Sequence, residues 1–355
     1  MELGIIGFPQ SGKTTVFQAV TGGKGESARG DRAALGAVKV PDPRLDALGE
    51  MFKPKKVTPA EVTYRDIPGT AGLGQGKGIE GQFLNDLAQT DAIIHVVEAF
   101  RDEPEPARLK ERIASMELEL AFSDLMIIER RLQRIEASRK GSKGRDFDAV
   151  AKESQLLSRI KSGLETETPL RHQRLTPEEA AKLRNYQLLT AKPLIVVLNI
   201  GEGYLGEAER LEAAVREGEP PRRAVAVCGG LEAELARLKE DEAREFMEDA
   251  GIRESSLRRM IRLSYEALGL VTFLTAGGTN EARAWSVPAG STAPQAASKI
   301  HSDMERGFIR AEVVTFDELM GAGGFVEARK RGVLRVEGKS YVVQDGDVIT
   351  FLFNV

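Results

Sequence analysis

The chain opens with a phosphate-binding pattern, which constrains its fold more than any other feature. Residues 7–14 read Gly-Phe-Pro-Gln-Ser-Gly-Lys-Thr, a G-x-x-x-x-G-K-T pattern that directly follows an apolar run over residues 3–6. In such a loop the backbone N–H groups wrap a polyphosphate, the lysine reaches the outer phosphates and the threonine hydroxyl binds Mg²⁺. The apolar run predicts a strand before the loop, and residues 14–20 predict a helix whose N-terminus adds a favourable dipole.

Bulk composition limits the classes of protein to consider. The 355 residues exceed one ordinary core, so two or three domains are expected. A formal net charge of -4 gives no global attraction to nucleic acid, so any such binding requires a local patch. The single cysteine excludes an internal disulfide and a Cys-rich metal site. The sequence shows neither a signal-peptide pattern nor a membrane-spanning apolar run, which predicts a cytoplasmic protein without membrane association.

Apolar segments alternate with helical patterns in two separated stretches, which predicts an α/β fold with a mostly parallel sheet and flanking helices. The predicted strands cover residues 3–6, 61–66, 92–97, 193–198 and 223–227. The intervening residues 108–189 instead repeat apolar side chains every three or four positions, typical of an antiparallel helical hairpin that turns at residues 141–144. The repeating positions are Leu118, Ala121, Leu125, Ile128, Leu132 and Ile135, then Val150, Leu157, Ile160 and Leu164.

The pattern changes again beyond about residue 271, where short strands predict a small α+β domain. Predicted strands there cover residues 272–275, 282–287, 341–343 and 348–353, with a helix after Pro294. The predicted domain limits are 1–107 and 190–271 for the two parts of a nucleotide-binding domain, 108–189 for the helical insertion and 272–355 for the C-terminal domain.

Two further segments follow the phosphate loop in the order found in G-proteins. Asp66-Ile67-Pro68-Gly69 ends the second predicted strand of this domain. The Asp66 carboxylate is predicted to hold Mg²⁺ through water, and the Gly69 N–H to sense the γ-phosphate. Thr14 is the other predicted metal ligand, and Lys13 joins Asp66 and Gly69 as the predicted catalytic set.

The base-reading segment is Asn199-Ile200-Gly201-Glu202, where G-proteins carry Asn-Lys-x-Asp to bind guanine. Isoleucine and glutamate replace the lysine and aspartate. An asparagine can pair with adenine N6 and N7, and Ile200 is predicted to offer the base an apolar platform, so adenine is favoured. The alternative is that Asn199 only ends a strand. Cys228 is predicted to lie beside the base or to be a buried small apolar residue. The predicted nucleotide contacts are Gly7, Gln10, Ser11, Gly12, Lys13, Thr14, Thr15, Asn199, Ile200, Glu202 and Cys228.

These residues together resemble the YchF family, the Obg-like ATPases of the translation-factor class of P-loop proteins. The resemblance runs nearly end to end. It is carried by residues 41–46 (Pro-Asp-Pro-Arg-Leu-Asp), 273–277, 283–285, 292–297, 307–312 and 341–347, besides the motifs above. It implies a P-loop NTPase G-domain with a helical insertion, a C-terminal TGS domain of β-grasp form, ATP preferred over GTP, Mg²⁺ dependence, slow hydrolysis and association with the ribosome or its large subunit.

Among the departures from the patterns of this family and of Ras-like proteins, three bear on the expected mechanism. Gln10 replaces an asparagine that in some related GTPases binds a monovalent cation, and Gly30 occupies the position of the first switch threonine. Thr70 follows Gly69 where Ras-like proteins place a water-orienting glutamine. These departures predict slow intrinsic turnover and weak coupling of nucleotide to switch.

Cations near the predicted hairpin tip form a candidate contact with ribosomal RNA phosphates. They are Arg130, Arg131, Arg134, Arg139, Lys140 and Lys143. A solvated helix face is the alternative interpretation. The leading hypothesis is an ATP-hydrolysing switch that engages the ribosome. A GTP-hydrolysing switch of the same fold and an RNA-binding module with a largely structural nucleotide site are the alternatives.

Overall fold

The computed structural model describes residues 1–23, 33–68, 79, 81–139, 147–217, 221–249, 252 and 254–354. Strands within these ranges are β1 Glu2–Ile6, β2 Ala34–Lys39, β3 Lys56–Thr58, β4 Glu61–Asp66, β5 Ala92–Ala99, β6 Leu194–Ile200, β7 Arg223–Val227, β8 Leu270–Thr275, β9 Glu281–Pro288, β10 Phe308–Thr315, β11 Arg335–Glu337 and β12 Asp347–Phe353.

The α-helices in the same ranges are α1 Lys13–Val20, α2 Pro43–Phe52, α3 Gly81–Ala88, α4 Pro106–Arg139, α5 Phe147–Glu165, α6 Pro177–Leu183, α7 Ala208–Arg216, α8 Gly229–Leu235, α9 Glu240–Asp249, α10 Ser256–Ala267, α11 Ala293–Ile300, α12 Ser302–Arg306, α13 Phe316–Ala322 and α14 Phe325–Lys330. Short 3-10 helices cover Leu170–His172, Arg184–Tyr186, Leu189–Ala191 and Glu202–Glu207. None of these described helices is both long and apolar enough to cross a membrane.

The first sheet has the strand order β2-β4-β1-β5-β6-β7. β1 pairs in parallel with β4 and β5, β5 with β6, and β6 with β7. Strands β5 and β6 are buried along almost their whole length, as expected for parallel strands covered on both faces. The predicted α/β fold with a mostly parallel sheet is confirmed.

The parallel strands of this sheet place five loops at one edge. The loops begin at Gly7, Ile67, Phe100, Gly201 and Cys228, directly after β1, β4, β5, β6 and β7. Ligands of open parallel sheets bind at the carboxyl ends of the strands. This edge is therefore where the candidate site is built.

Helices α4 and α5 form the predicted antiparallel hairpin. Ion pairs join Arg131 to Glu153 and Glu129 to Lys161, each at 2.8 Å, so position along α5 rises as position along α4 falls. The seam between them buries apolar side chains, including Ile128, Ile135, Leu157, Ile160 and Leu164. The hairpin is confirmed, and its predicted turn at residues 141–144 lies outside the described residues.

The chain divides into two compact units whose limits differ from the predicted domains. One unit comprises Met1–Ala37 and Thr63–Ala267, and the other comprises Val38–Val62 and Leu268–Val355. The sequence predicts residues 38–62 as part of the nucleotide-binding domain. They join the C-terminal residues because β3 pairs in parallel with β9 and Arg44 donates a hydrogen bond to Asp345 at 2.7 Å. The helical hairpin remains in the first unit, where Leu109 and Ile113 of α4 pack in the core with β5 and β6.

The second unit is built on a mixed sheet with the strand order β11-β10-β12-β8-β9-β3. β10 pairs antiparallel with β11 and β12, whereas β8 pairs in parallel with β12 and antiparallel with β9. Helix α11 packs on the core of this sheet through Ala293, Ala296 and Ala297. The predicted strand at residues 341–343 is wrong, because Val342 makes only an isolated bridge with Thr292.

Candidate nucleotide-binding site

The phosphate loop, residues 7–14, turns tightly between β1 and α1. Gln10 and Gly12 have left-handed backbone conformations, with φ of 66° and 84°. Gly7 is closely packed, since a Cβ there would lie 2.5 Å from the Val96 carbonyl oxygen. The Gly12 carbonyl accepts the first hydrogen bond of α1 from the Val16 N–H, at 3.0 Å. Left-handed residues before a helix N-terminus form a concavity of backbone N–H groups suited to an anion.

Two charged side chains and one hydroxyl lie close together at this loop, those of Lys13, Asp66 and Thr14. The Thr14 hydroxyl donates a hydrogen bond to Asp66 Oδ2 at 2.9 Å, which joins the start of α1 to the end of β4. Burial lowers the pKa of Lys13, and the Asp66 charge acts in the opposite direction. Burial raises the pKa of Asp66, while the Thr14 hydrogen bond and the Lys13 charge lower it. Both charges are therefore partly desolvated, and each gains from an added partner of opposite sign.

Asn199, at the end of β6, connects the phosphate loop to the start of α8. Its side-chain N–H donates to the Ser11 carbonyl at 3.0 Å, and its side-chain oxygen accepts from the Gly229 N–H at 3.1 Å. The side chain is buried. Asn199 thus does more than end β6, because it ties residues of the phosphate loop and of α8 together.

The other predicted base contacts differ in their exposure. Ile200 is 2% exposed and packs in the core, so its side chain does not offer the open apolar platform predicted from the sequence. Glu202 is exposed at the start of a 3-10 helix. Cys228 is buried just before α8, and burial raises the pKa of its thiol. Thr15 lies beside Gly229, with its methyl carbon 3.5 Å from the position a Cβ would take there.

Several predicted positions lie outside the described residues. They are the γ-phosphate sensor Gly69, the switch positions Gly30 and Thr70, the hairpin cations Lys140 and Lys143, and the side chain of Arg139. Their predicted roles stay predictions.

Sequence reasoning missed Arg101, which follows β5 and contacts the phosphate loop. Its Nη2 donates a hydrogen bond to Gln10 Oε1 at 2.7 Å. The only signal in the sequence is the position of Arg101 just after a predicted strand. Its contact with the phosphate loop follows from the neighbouring positions of β5 and β1 in the sheet.

His95 lies in the middle of β5 and is fully buried. Neither ring nitrogen has a hydrogen-bond partner among the described residues. Burial, assisted by the Lys13 charge, lowers the pKa of His95 to about 3, so the ring is neutral at physiological pH. Its ring makes an edge-on contact with Phe8, at 6.3 Å between ring centres, as expected for a histidine with a structural role in the core.

The described hairpin cations divide into two kinds. Arg131 makes two hydrogen bonds with the Glu153 carboxylate, each at 2.8 Å, and Tyr186 donates to the same carboxylate. Arg130 and Arg134 are exposed one helical turn apart on α4. Arg131 therefore joins the two helices, whereas Arg130 and Arg134 face solvent.

Comparisons with known proteins cover the whole chain. Residues 2–130 match a family model described as "50S ribosome-binding GTPase". Residues 270–354 match a model for the C-terminal part of YchF GTPases, described as "Protein of unknown function (DUF933)". Proteins named "Ribosome-binding ATPase YchF" are similar over their full length. The one from Bacillus subtilis (strain 168) is 40% identical, with 100% of both chains covered, and the one from Escherichia coli O157:H7 is 40% identical, with 100% of this chain and 99% of the relative covered.

Two solved structures share the fold. The YchF GTPase of Schizosaccharomyces pombe matches with a TM-score of 0.85 and 29% identity, covering 99% of this chain and 97% of the other. A GTP-binding protein from Pyrococcus horikoshii OT3 matches with a TM-score of 0.60 and 17% identity, covering 100% of both chains, which shows likeness of fold alone.

Proposed function

We propose that this chain, which belongs to the YchF family, is a cytoplasmic ATPase that hydrolyses ATP slowly and associates with the ribosome. The family membership rests on the full-length similarity to relatives named as ribosome-binding ATPases. The observation that carries the proposal is the phosphate loop with Thr14 bonded to Asp66 and Asn199 bonded to Ser11. This arrangement connects residues for which we propose contacts with the phosphates, the metal ion and the base of one nucleotide.

The residues around Thr14 fit a magnesium ion. Thr14 and Asp66 supply a hydroxyl and a carboxylate, the hard oxygen donors that Mg²⁺ prefers, and they lie within hydrogen-bond distance of one another. Bound there with ATP, Mg²⁺ would neutralise charge on the β- and γ-phosphates. Lys13 would contact the outer phosphates, and the loop N–H groups would hold the nucleotide in position.

The base-side residues support ATP over GTP. Guanine recognition in G-proteins uses an aspartate carboxylate, and this chain has the longer Glu202 in that position. The position of the guanine-binding lysine is occupied by Ile200, whose side chain is buried in the core. The S. pombe homologue is named a GTPase and the bacterial relatives ATPases, so nucleotide preference is the point to test.

We expect purified protein to release phosphate from ATP, and bacterial ribosomes to raise the rate. Lys13→Ala should lower this rate about 100-fold or more, because it removes a fixed positive charge from the phosphates. Competition between labelled ATP and GTP should show a preference for ATP of at least about tenfold. Colorimetric phosphate release and equilibrium competition measure the two quantities.

Each alternative predicts a different result in the same experiment. A preference for GTP of more than tenfold would assign the chain to the GTP-hydrolysing alternative. Phosphate release equal to that of Lys13→Ala, with ribosomes present, would favour an RNA-binding module with a structural nucleotide site. In that last case the wild-type protein should still bind ATP, whereas a protein that has lost its fold should not.

The hairpin is the proposed contact with ribosomal RNA. Arg130 and Arg134 are exposed on one face of α4, and neither forms an ion pair with a described residue. Their charges are therefore available to phosphates. Arg131, in contrast, is held by Glu153 and is excluded from the proposed contact. Arg139, Lys140 and Lys143 stay in the proposal on their sequence positions alone.

We expect the double variant Arg130→Ala/Arg134→Ala to bind ribosomes more weakly without losing stability. Like charges one turn apart repel, and alanine favours a helix, so the change does not weaken α4. The plot of log affinity against log salt concentration should become shallower by about 2, one for each lost phosphate contact. Cosedimentation with ribosomes over a salt series measures this slope.

Arg159→Ala is the matched control, since Arg159 is exposed on the same hairpin but pairs with Glu179 at 3.0 Å. Arg159→Ala removes one charge, so a change in slope of about 1 would equal the change per charge in the double variant and would mean that general charge, and not this face of α4, sets the interaction.

We further propose that residues 272–355 form a TGS domain of β-grasp form, supported by the mixed sheet that α11 covers.

A further inference from the structure

Arg101 lies where two neighbouring loops of the parallel sheet meet. It follows β5, and β5 pairs directly with β1, whose own loop is the phosphate loop. The guanidinium donates from Nη2 to Gln10 Oε1 at 2.7 Å. Gln10 stands two residues before Gly12, in a left-handed conformation. A cation is thus attached to the phosphate loop itself.

A second set of contacts holds this guanidinium in place. Arg101 Nε lies 3.2 Å from the Glu98 carboxylate, and the Glu98 side chain is 17% exposed. Arg112 lies 3.6 Å from the same carboxylate and donates to the Glu98 carbonyl at 2.6 Å, which fixes Glu98 in turn. The Arg101 guanidinium also lies 5.8 Å from the centre of the Phe100 ring. These contacts orient Arg101 from its Nε side and from one terminal nitrogen. A guanidinium carries five N–H donors in a planar fork, so further donors are available for an anion.

The reaction at this loop needs such a cation. A water oxygen forms a bond to the γ-phosphorus, the bond from that phosphorus to the β–γ bridging oxygen breaks, and the electron pair stays on ADP. The water proton leaves with the released phosphate. Negative charge therefore grows on the bridging oxygen and is spread over the phosphoryl oxygens, where an arginine is most effective.

We infer that Arg101 is a catalytic residue whose guanidinium, held by Gln10 and Glu98, contacts the phosphates of ATP and stabilises this charge during hydrolysis. The inference rests on the proposed ATPase function. It assigns to this chain an arginine supplied from within, at the loop after β5. Because Arg101 places a positive charge at Gln10 Oε1, a potassium ion at that oxygen would be repelled, so wild-type turnover should be equal in potassium and in sodium.

The test separates binding from chemistry with Arg101→Ala. We expect kcat for ATP to fall about 100-fold, as for loss of one preorganised donor. The Kd for ADP should stay within threefold of wild type. Binding of ADP with aluminium fluoride, which mimics the phosphoryl group in transfer, should weaken at least tenfold. Arg101→Lys should retain an intermediate kcat, because it keeps the charge and loses the planar fork.

Arg108→Ala is the matched control. Arg108 follows Arg101 by seven residues, is exposed, and pairs with Asp102 at 3.6 Å. Its kcat and its aluminium fluoride binding should equal those of wild type. Circular dichroism and thermal melting establish that every variant is folded.

The outcomes distinguish this inference from the proposed function. Wild-type turnover no higher than that of Lys13→Ala means that the ATPase proposal fails. Active wild type with Arg101→Ala retaining a third or more of kcat, or with unchanged aluminium fluoride binding, means that the arginine inference alone fails. A loss of kcat matched by an equal loss of ADP affinity also overturns it, since Arg101 would then serve binding only.

Discussion

Replacing Gly12 with alanine is expected to raise the Kd for ATP at least about 100-fold, the effect of losing a preorganised set of contacts. The backbone φ of 84° at Gly12 disfavours any residue with a Cβ. The added methyl would also overlap the Asn199 side-chain nitrogen. Asn199 would have to move, and its hydrogen bonds to Ser11 and Gly229 would break. The loop would then lose both its shape and its connection to the base side of the site.

Gly22→Ala separates this overlap from backbone strain. Gly22 follows α1 with a φ of 59°, and a Cβ there would meet no atom within 4 Å. Both variants therefore carry a strain of about 1 kcal/mol, but only Gly12→Ala displaces Asn199. Isothermal titration with ATP and Mg²⁺ measures the Kd of each, and Gly22→Ala should stay within threefold of wild type. Equal Kd values for ATP in the two variants would show that displacing Asn199 does not weaken ATP binding.

The phosphate loop could be predicted from sequence because its function depends on adjacent residues. The roles proposed for Gly7, Gly12, Lys13 and Thr14 depend on local backbone shape and on the start of one helix, so their spacing carries the information. The buried strands were likewise visible, since parallel strands covered on both faces are continuous apolar runs. The helical hairpin could also be predicted, because apolar residues that recur every three or four positions mark the packed face of each helix.

Contacts between distant segments were not visible in the same way. The place of Val38–Val62 depends on the pairing of β3 with β9, which are separated by more than two hundred residues. A three-residue strand such as β3 has too few residues to show a period. The unit boundary was therefore missed at that segment.

The candidate site contains features of both kinds, those set by a local motif and those set by contacts between distant segments. The motif predicts Asn199 beside the base, whereas the two hydrogen bonds that join it to Ser11 and Gly229 follow from the fold. Ile200 could not be assigned to the core from its neighbours, because one residue at the end of a strand can face either way. Arg101 has no motif at all. Its contact with Gln10 depends on the neighbouring positions of β5 and β1 in the sheet.

Phe273→Ala is expected to destabilise the second unit by about 3–5 kcal/mol, the usual cost of removing a fully buried phenylalanine. Phe273 on β8 is 0% exposed at the centre of that core. Its ring stacks on Trp285 at 6.3 Å and meets Phe351 edge-on at 5.7 Å between ring centres. The substitution removes apolar burial and both ring contacts, and it leaves a cavity that the surrounding strands can only partly close.

The single tryptophan makes this effect measurable within one unit of the intact protein. Trp285 is the only tryptophan in the chain and packs against Phe273, so its fluorescence reports the second unit during urea unfolding. The shift of the midpoint multiplied by the m-value gives the change in free energy of unfolding. Phe353→Ala is the matched control because Phe353 is 41% exposed on β12 of the same sheet, and its loss should cost less than about 1 kcal/mol. Similar midpoints for the two variants would show that the core around Phe273 is not what holds the second unit together.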